Sequence, residues 1–137
     1  METCIRDSFN KATGIRNHNA FLGKEVWIIG PRGKRYDKRG TVGTHHYEHI
    51  KFADDWAGLV EGTTKSYQFV AFDNVDGAVP LHEFEWPDKP IMMFGEEQRG
   101  LSEEALELAD HIVYIPMRGS VRSLNVGTAS GIAMYDF

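Results

Sequence analysis

Residues 91–115 read IMMFGEEQRGLSEEALELADHIVYI, and this stretch decides the architecture. Its first four residues are a continuous apolar run without polar alternation, the pattern of a strand covered on both faces. Gly95 and Gly100 then punctuate a turn. Ser102 is a good helix N-cap, and Glu103 and Glu104 fall in a first turn where negative charge complements the helix dipole. Ala105, Leu106, Leu108 and Ala109 supply the apolar side of a helix over 102–109. A second apolar run at 112–115 follows. Strand, turn, helix and strand in succession point to an α/β fold.

The rest of the chain extends the same alternation. Apolar runs at 26–29 and 68–72 read as further strands, and a short first strand falls within 3–6. Residues 11–22 read as a helix with Ile15 and Phe21 on its apolar side and Gly23 as its stop. Residues 54–60 form one or two helical turns behind two acids, and a last helix is expected over 123–135. The fold class is therefore α/β, a mainly parallel sheet flanked by helices. In such folds ligands bind beyond the carboxyl ends of the strands. The chemically suggestive segments of this chain follow strands.

Length and composition bound the function. The 137 residues suit one domain, because two separate cores would each be marginal. Fourteen glycines and five prolines suit strands joined by tight turns. The single cysteine, Cys4, excludes a disulfide framework and a cysteine-rich metal site. No apolar run approaches the roughly 18 residues of a membrane span, and the first residues do not resemble a signal peptide. A soluble, cytoplasmic protein with no membrane partner is expected. The net charge of −5 argues against nucleic acid until its distribution is considered. Residues 1–40 hold nine Lys/Arg against four Asp/Glu, whereas residues 41–137 hold six against sixteen. The basic third contains Lys34, Arg35, Lys38 and Arg39. That cluster is either a phosphate-holding face or a solvated loop.

Two segments carry candidate chemistry. The turn FGEEQRGLS at 94–102 has glycines that permit close backbone approach to a ligand. It is neither a Walker A loop nor a dinucleotide fingerprint, since the glycines are five apart and no Gly-Lys-Ser/Thr follows. A surface turn with solvated Glu96 and Glu97 fits the same letters. The segment IPMRGSVRSLNVGTAS at 115–130 ends a strand at Pro116 and turns at Gly119. Ser123 and Asn125 flank Leu124 near a helix start, after a loop bearing Arg118 and Arg122. That is more than capping alone requires. Small residues Gly127, Ala129, Ser130 and Gly131 predict close packing of this helix on another backbone. His45 and His49 are spaced four apart, but HExxH is absent and no third ligand is evident beyond Glu48. A partly exposed helix or helix end with incidental histidines is expected there, and no metal.

Three segments together resemble the SpoU/TrmH class of SPOUT RNA methyltransferases: NKATGIRNHNAFLG at 10–23, MMFGEEQRGLS at 92–102 and IPMRGSVRSLNVGTASGIAMY at 115–135. The first has the family's Asn, short gap and Arg before an Ala-Phe turn. The second runs a strand into Gly-x-Glu-x-x-Gly-Leu. The third is Ile-Pro-Met, a glycine-bearing loop and Ser-Leu-Asn-Val before a small-residue helix. FDNVDGAVPLHEFEWP at 72–87 is similar to the family's segment ahead of the second motif. Departures lie at Lys11-Ala12-Thr13 and Asn17-His18-Asn19 in the first motif, and at Gly127-Thr128 in the third.

The resemblance implies a single SPOUT domain over 1–137, with no appended RNA-binding domain and with a C-terminal deep trefoil knot. It implies S-adenosylmethionine as cofactor, held around Gly95, Glu96, Gly100, Ile115, Met117, Ser123 and Leu124. It implies methyl transfer to a ribose 2′-hydroxyl, most naturally in tRNA, by a homodimer built on the first and last helices. Arg16 would act as phosphate clamp, since an arginine is effectively always protonated. Glu97 would orient Arg16 or anchor the loop, Ser123 and Asn125 would fix the loop and the reacting ribose, and Asn10 would organise the first motif. Arg16, Lys34, Arg35, Lys38 and Arg39 would touch RNA. The competing readings are a degenerate member that binds RNA or cofactor without transfer, and an unrelated α/β nucleotide-binding domain.

Overall fold

The computed structural model describes residues 1–5, 11–30 and 38–137, with the side chain of Lys38 outside that description. The expectations placed on Arg6, Asn10, Lys34, Arg35 and the Lys38 side chain lie outside the described residues.

In chain order the elements are β1 (Glu2–Ile5), α1 (Lys11–Ala20), β2 (Glu25–Ile29), β3 (Ile50–Ala53), α2 (Trp56–Gly62), β4 (Gln68–Phe72), β5 (Val79–Pro80), β6 (Pro90–Phe94), α3 (Glu103–Leu108), β7 (His111–Tyr114) and α4 (Val126–Asp136). Among the described residues the strands form one seven-stranded sheet in the order β3-β2-β1-β6-β4-β7-β5. Its six strand pairings are all parallel. The chain steps outward from β1 to β3, crosses back to β4, and later inserts β6 between β1 and β4. A reversal of this kind opens a crevice at the carboxyl ends of the strands.

Both faces are covered, which is why the central strands lack polar alternation. Cys4, Trp27, Ile29, Ala71, Ile91 and Met93 point to one face and pack with Trp56 and Leu59 of α2 and Ala105 of α3. On the opposite face, Ile5, Met92 and Phe94 pack against Val126, Ala133 and Met134 of α4. Ile15 of α1 covers Val26 and Ile28 on that side.

The caps explain the helix starts. Asp55 Oδ1 accepts from Gly58 N at 2.9 Å, and Ser102 Oγ accepts from Ala105 N at 3.3 Å. The last helix begins at Val126 rather than 123, because Asn125 is its N-cap and accepts from Thr128 N at 3.2 Å. Its small face packs on α1 as expected: Asn17 Nδ2 donates to Gly127 O at 2.7 Å and Ser130 Oγ at 3.0 Å.

The histidines do not share one helix. His45 and His46 lie in a short 3-10 turn, Thr44–His46, and the chain is strand again from Ile50. His49 therefore sits at a strand entrance, where its carbonyl accepts from Val26 N, and the four-residue spacing does not place it beside His45 on a helix. Among the described residues no group of three or more metal-binding side chains converges. Glu48 instead pairs with His18 of α1, its oxygen 2.7 Å from Nδ1, with both side chains buried. Gly23 does not itself end α1. Leu22 takes the left-handed turn, and the missing Cβ of Gly23 leaves room for the His18 ring.

The buried His18 ring sets Nδ1 against Glu48 Oε2, which suits a neutral ring whose Nδ1–H donates to Glu48. Burial lowers the His18 pKa below its ordinary value, and Glu48 only partly offsets this. The unfolded chain takes up a proton near pH ~6.5, and the native ring does so only at lower pH. Between those points the unfolded state binds more protons, so stability falls as pH drops through that window. Urea denaturation between about pH 5 and 8 should show this loss, with a flatter profile in His18→Gln.

Candidate functional site

A cavity of about 440 Å³ opens at the carboxyl ends of β4, β6 and β7, where the topology puts the crevice. It is lined by Phe72, Asp73 and Asn74 after β4, by residues 94–100 after β6, and by Val113, Tyr114, Ile115 and Met117 along and after β7. Arg122, Ser123 and Leu124, with Val126 and Ala129 of α4, complete the wall. Its size suits a small ligand.

The turn after β6 is closed on itself. Glu96 N donates to Gly100 O at 3.0 Å, and Gly100 N returns a bond to Glu96 O at 2.7 Å. Gly95 is required by contact: a Cβ there would lie 2.1 Å from the Gly100 carbonyl carbon. Gly100 is required by conformation, with φ at +65°, and by contact with Asp73. The surface-turn reading of 94–102 thus accounts for the exposed Glu97 but not for the glycines, which shape a cavity wall.

The structure brings together Gly95, Glu96, Gly100, Ile115, Met117, Ser123 and Leu124, and Glu97 stands with them. Among the described residues it does not bring in Asn125, Arg16 or Arg39. Asn125 caps α4 and lines a second, more open groove of about 470 Å³ with Thr13, Asn17, Thr128, Ile132 and Tyr135. Arg16 is on the exposed side of α1 and lines neither space. Arg39 is exposed in the 3-10 turn Lys38–Thr41.

Asp73 and Arg99 also line the cavity, together with Arg122 of the loop singled out in the sequence. The two arginines were legible as basic residues in the right loops. Asp73 stands immediately after a strand in the parallel sheet, the position where such folds hold ligands, and that was its only signal.

The fold and cavity define an α/β domain with a candidate site at the carboxyl ends of a parallel sheet. The model of the SpoU rRNA Methylase family matches residues 3–135, and the chain belongs to that family. The tRNA (guanosine(18)-2′-O)-methyltransferase of Escherichia coli strain K12 is 39% identical over 136 residues, covering 96% of this chain and 58% of that protein. The enzyme of the same name from Aquifex aeolicus strain VF5 is 33% identical over 135 residues, covering 96% of this chain and 64% of that protein. The chain thus spans about three-fifths of these relatives' length. A structure solved to explain 2-OH methylation of C/U34 on tRNA superposes with a TM-score of 0.86 at 28% identity, covering 98% of this chain and 91% of that one.

Proposed function

We propose that this chain is an S-adenosylmethionine-dependent RNA methyltransferase acting on a ribose 2′-hydroxyl of tRNA. The convergence of seven expected cofactor residues on one cavity carries the reading, in a chain that belongs to a methylase family. The cavity fits a nucleoside. Phe72, Ile115 and Leu124 offer apolar surface for a flat base, and Gly95 and Gly100 let the turn after β6 fold tightly into the cavity wall. The substrate named for the relatives is tRNA.

When bound, S-adenosylmethionine supplies an electrophilic methyl carbon. The chain's own groups then align the hydroxyl oxygen in-line with that carbon and stabilise the charge that develops as its proton leaves. In this reading Arg16 clamps the RNA phosphate, and Glu97 at the cavity rim orients it. Ser123 shapes the cavity loop, while Asn125 holds the start of α4 beside the reacting ribose. Asn10, Lys34, Arg35, Lys38 and Arg39 keep the roles that the resemblance gives them.

Residues 1–137 work as one catalytic domain and pair as a homodimer through α1 and α4. Phe21, Leu22, Ile132 and Tyr135 leave apolar surface there, with Leu22 91% and Tyr135 81% exposed. A second copy also supplies an arginine, since within one chain Arg16 stays outside the cavity. The trefoil knot belongs to the same proposal. After β7, which lies between β4 and β5, the chain returns across the strand ends to pack α4 against Ile5, Met92 and Phe94. A cytoplasmic location belongs to the same proposal and fits a tRNA substrate.

Calorimetric titration with S-adenosylhomocysteine tests the core of this reading. Saturable binding of one ligand per chain with Kd on the order of micromolar is expected. No binding to the folded protein would overturn it. Binding without transfer of a labelled methyl group to any tRNA would favour the degenerate reading.

A further inference from the structure

Asp73 follows β4 at the cavity floor. Its main-chain N donates to Val113 O at 3.1 Å, which seats it against β7. Both carboxylate oxygens accept main-chain bonds: Oδ1 from Asn74 N at 2.8 Å and Oδ2 from Leu101 N at 2.8 Å. The second bond spans 28 residues and ties the end of β4 to the end of the turn after β6. Gly100 makes the approach possible, because a Cβ there would lie 2.6 Å from Asp73 Oδ2. The carboxylate therefore occupies the space a side chain at position 100 would take.

We propose that Asp73 is a positioning residue for the cofactor, holding the 95–101 turn in the shape that forms the cavity wall. The proposal rests on the reading of this cavity as the S-adenosylmethionine site. Within the turn, the Glu96–Gly100 pair fixes its local shape but not its place on the sheet. The Leu101 N–H bond to a carboxylate is charge-assisted, and such bonds are stronger than neutral ones. Without it, Leu101 N–H loses its carboxylate acceptor and the turn samples other positions. Ligand affinity then falls by the fraction of molecules that retain the closed turn. A closed fraction of about one in ten raises Kd about tenfold. Saturating ligand selects the closed turn again, so turnover at saturation is spared.

The test compares the wild-type full chain with Asp73→Ala and Asp73→Asn, using S-adenosylhomocysteine titration, steady-state transfer to tRNA and amide hydrogen exchange. Asp73→Ala is expected to raise the S-adenosylhomocysteine Kd and the S-adenosylmethionine KM about tenfold, with kcat within about twofold. Leu101 amide exchange should speed up while the β6 amides stay protected. Asp73→Asn keeps one carbonyl acceptor and should fall between the two. Unchanged affinity in both variants would overturn the proposal, as would a fall in kcat at unchanged KM. Uniformly faster exchange across the sheet in both variants would also overturn it, reducing Asp73 to a general stabiliser. Failure of the wild type to bind S-adenosylhomocysteine would instead bring down the cavity reading itself.

Discussion

Arg16→Ala should lower methyl transfer by at least about a hundredfold and leave S-adenosylhomocysteine affinity within about twofold of wild type. The magnitude is that of removing one preorganised charge-stabilising donor from a reaction centre. The separation of the two effects follows from placement. Arg16 sits on the exposed side of α1, while the cavity is built from the ends of β4, β6 and β7 and the start of α4. Its removal takes nothing from the cavity wall. Because a guanidinium grips phosphate with two parallel N–H bonds, Arg16→Lys keeps the charge but not that geometry and should recover only a minor part of the activity. Single-turnover transfer with saturating S-adenosylmethionine, run beside calorimetry, separates the outcomes. A large loss of S-adenosylhomocysteine binding in Arg16→Ala would place the arginine in the cofactor site and remove the clamp role.

Much of the frame is legible because the central strands are short apolar runs that only a doubly covered sheet can bury. The run 68–72 coincides with β4, and Ser102 caps α3 through the bond expected of it. β3 is not legible, since it lies at the sheet edge with Lys51 and Phe52 exposed, and Lys51 interrupts its short apolar run. β5 is two residues long and carries no periodicity. The insertion of β6 between β1 and β4 depends on pairings far apart in sequence, which local patterns do not encode.

The candidate site divides along the same line. Gly95, Gly100, Ile115 and Leu124 are legible because glycines at turns and residues at strand ends mark crevices in parallel sheets. Asp73 and Leu101 are not, because a carboxylate after a strand is ordinarily a turn residue and its partner lies 28 positions on. The His18–Glu48 pair, 30 positions apart, is hidden for the same reason. Asn125 shows the opposite case. Its helix-start position is legible, yet the structure gives it a complete capping function, so any role towards ribose is additional to that.

Gly95→Ala should abolish S-adenosylhomocysteine binding at ligand concentrations that saturate the wild type. The three atoms nearest the added methyl are all main chain: Gly100 C at 2.1 Å, Gly100 O at 2.2 Å and Leu101 N at 2.4 Å. No rotamer change relieves such a clash. The turn must move away from β6, and movement breaks either the reciprocal Glu96–Gly100 bonds or the Leu101–Asp73 bond. Overpacking of this kind typically costs about 1–3 kcal/mol of stability. The sheet and both helix layers lie outside the turn, so the fold should survive with a lower urea midpoint. Binding suffers more than stability because the displaced turn is itself a wall of the cavity. Gly119→Ala is the matched control, since a Cβ at Gly119 meets nothing within 4 Å. That variant should bind and fold as the wild type does. Gly95→Ala that stays folded and binds S-adenosylhomocysteine normally would show that the ligand does not use this cavity.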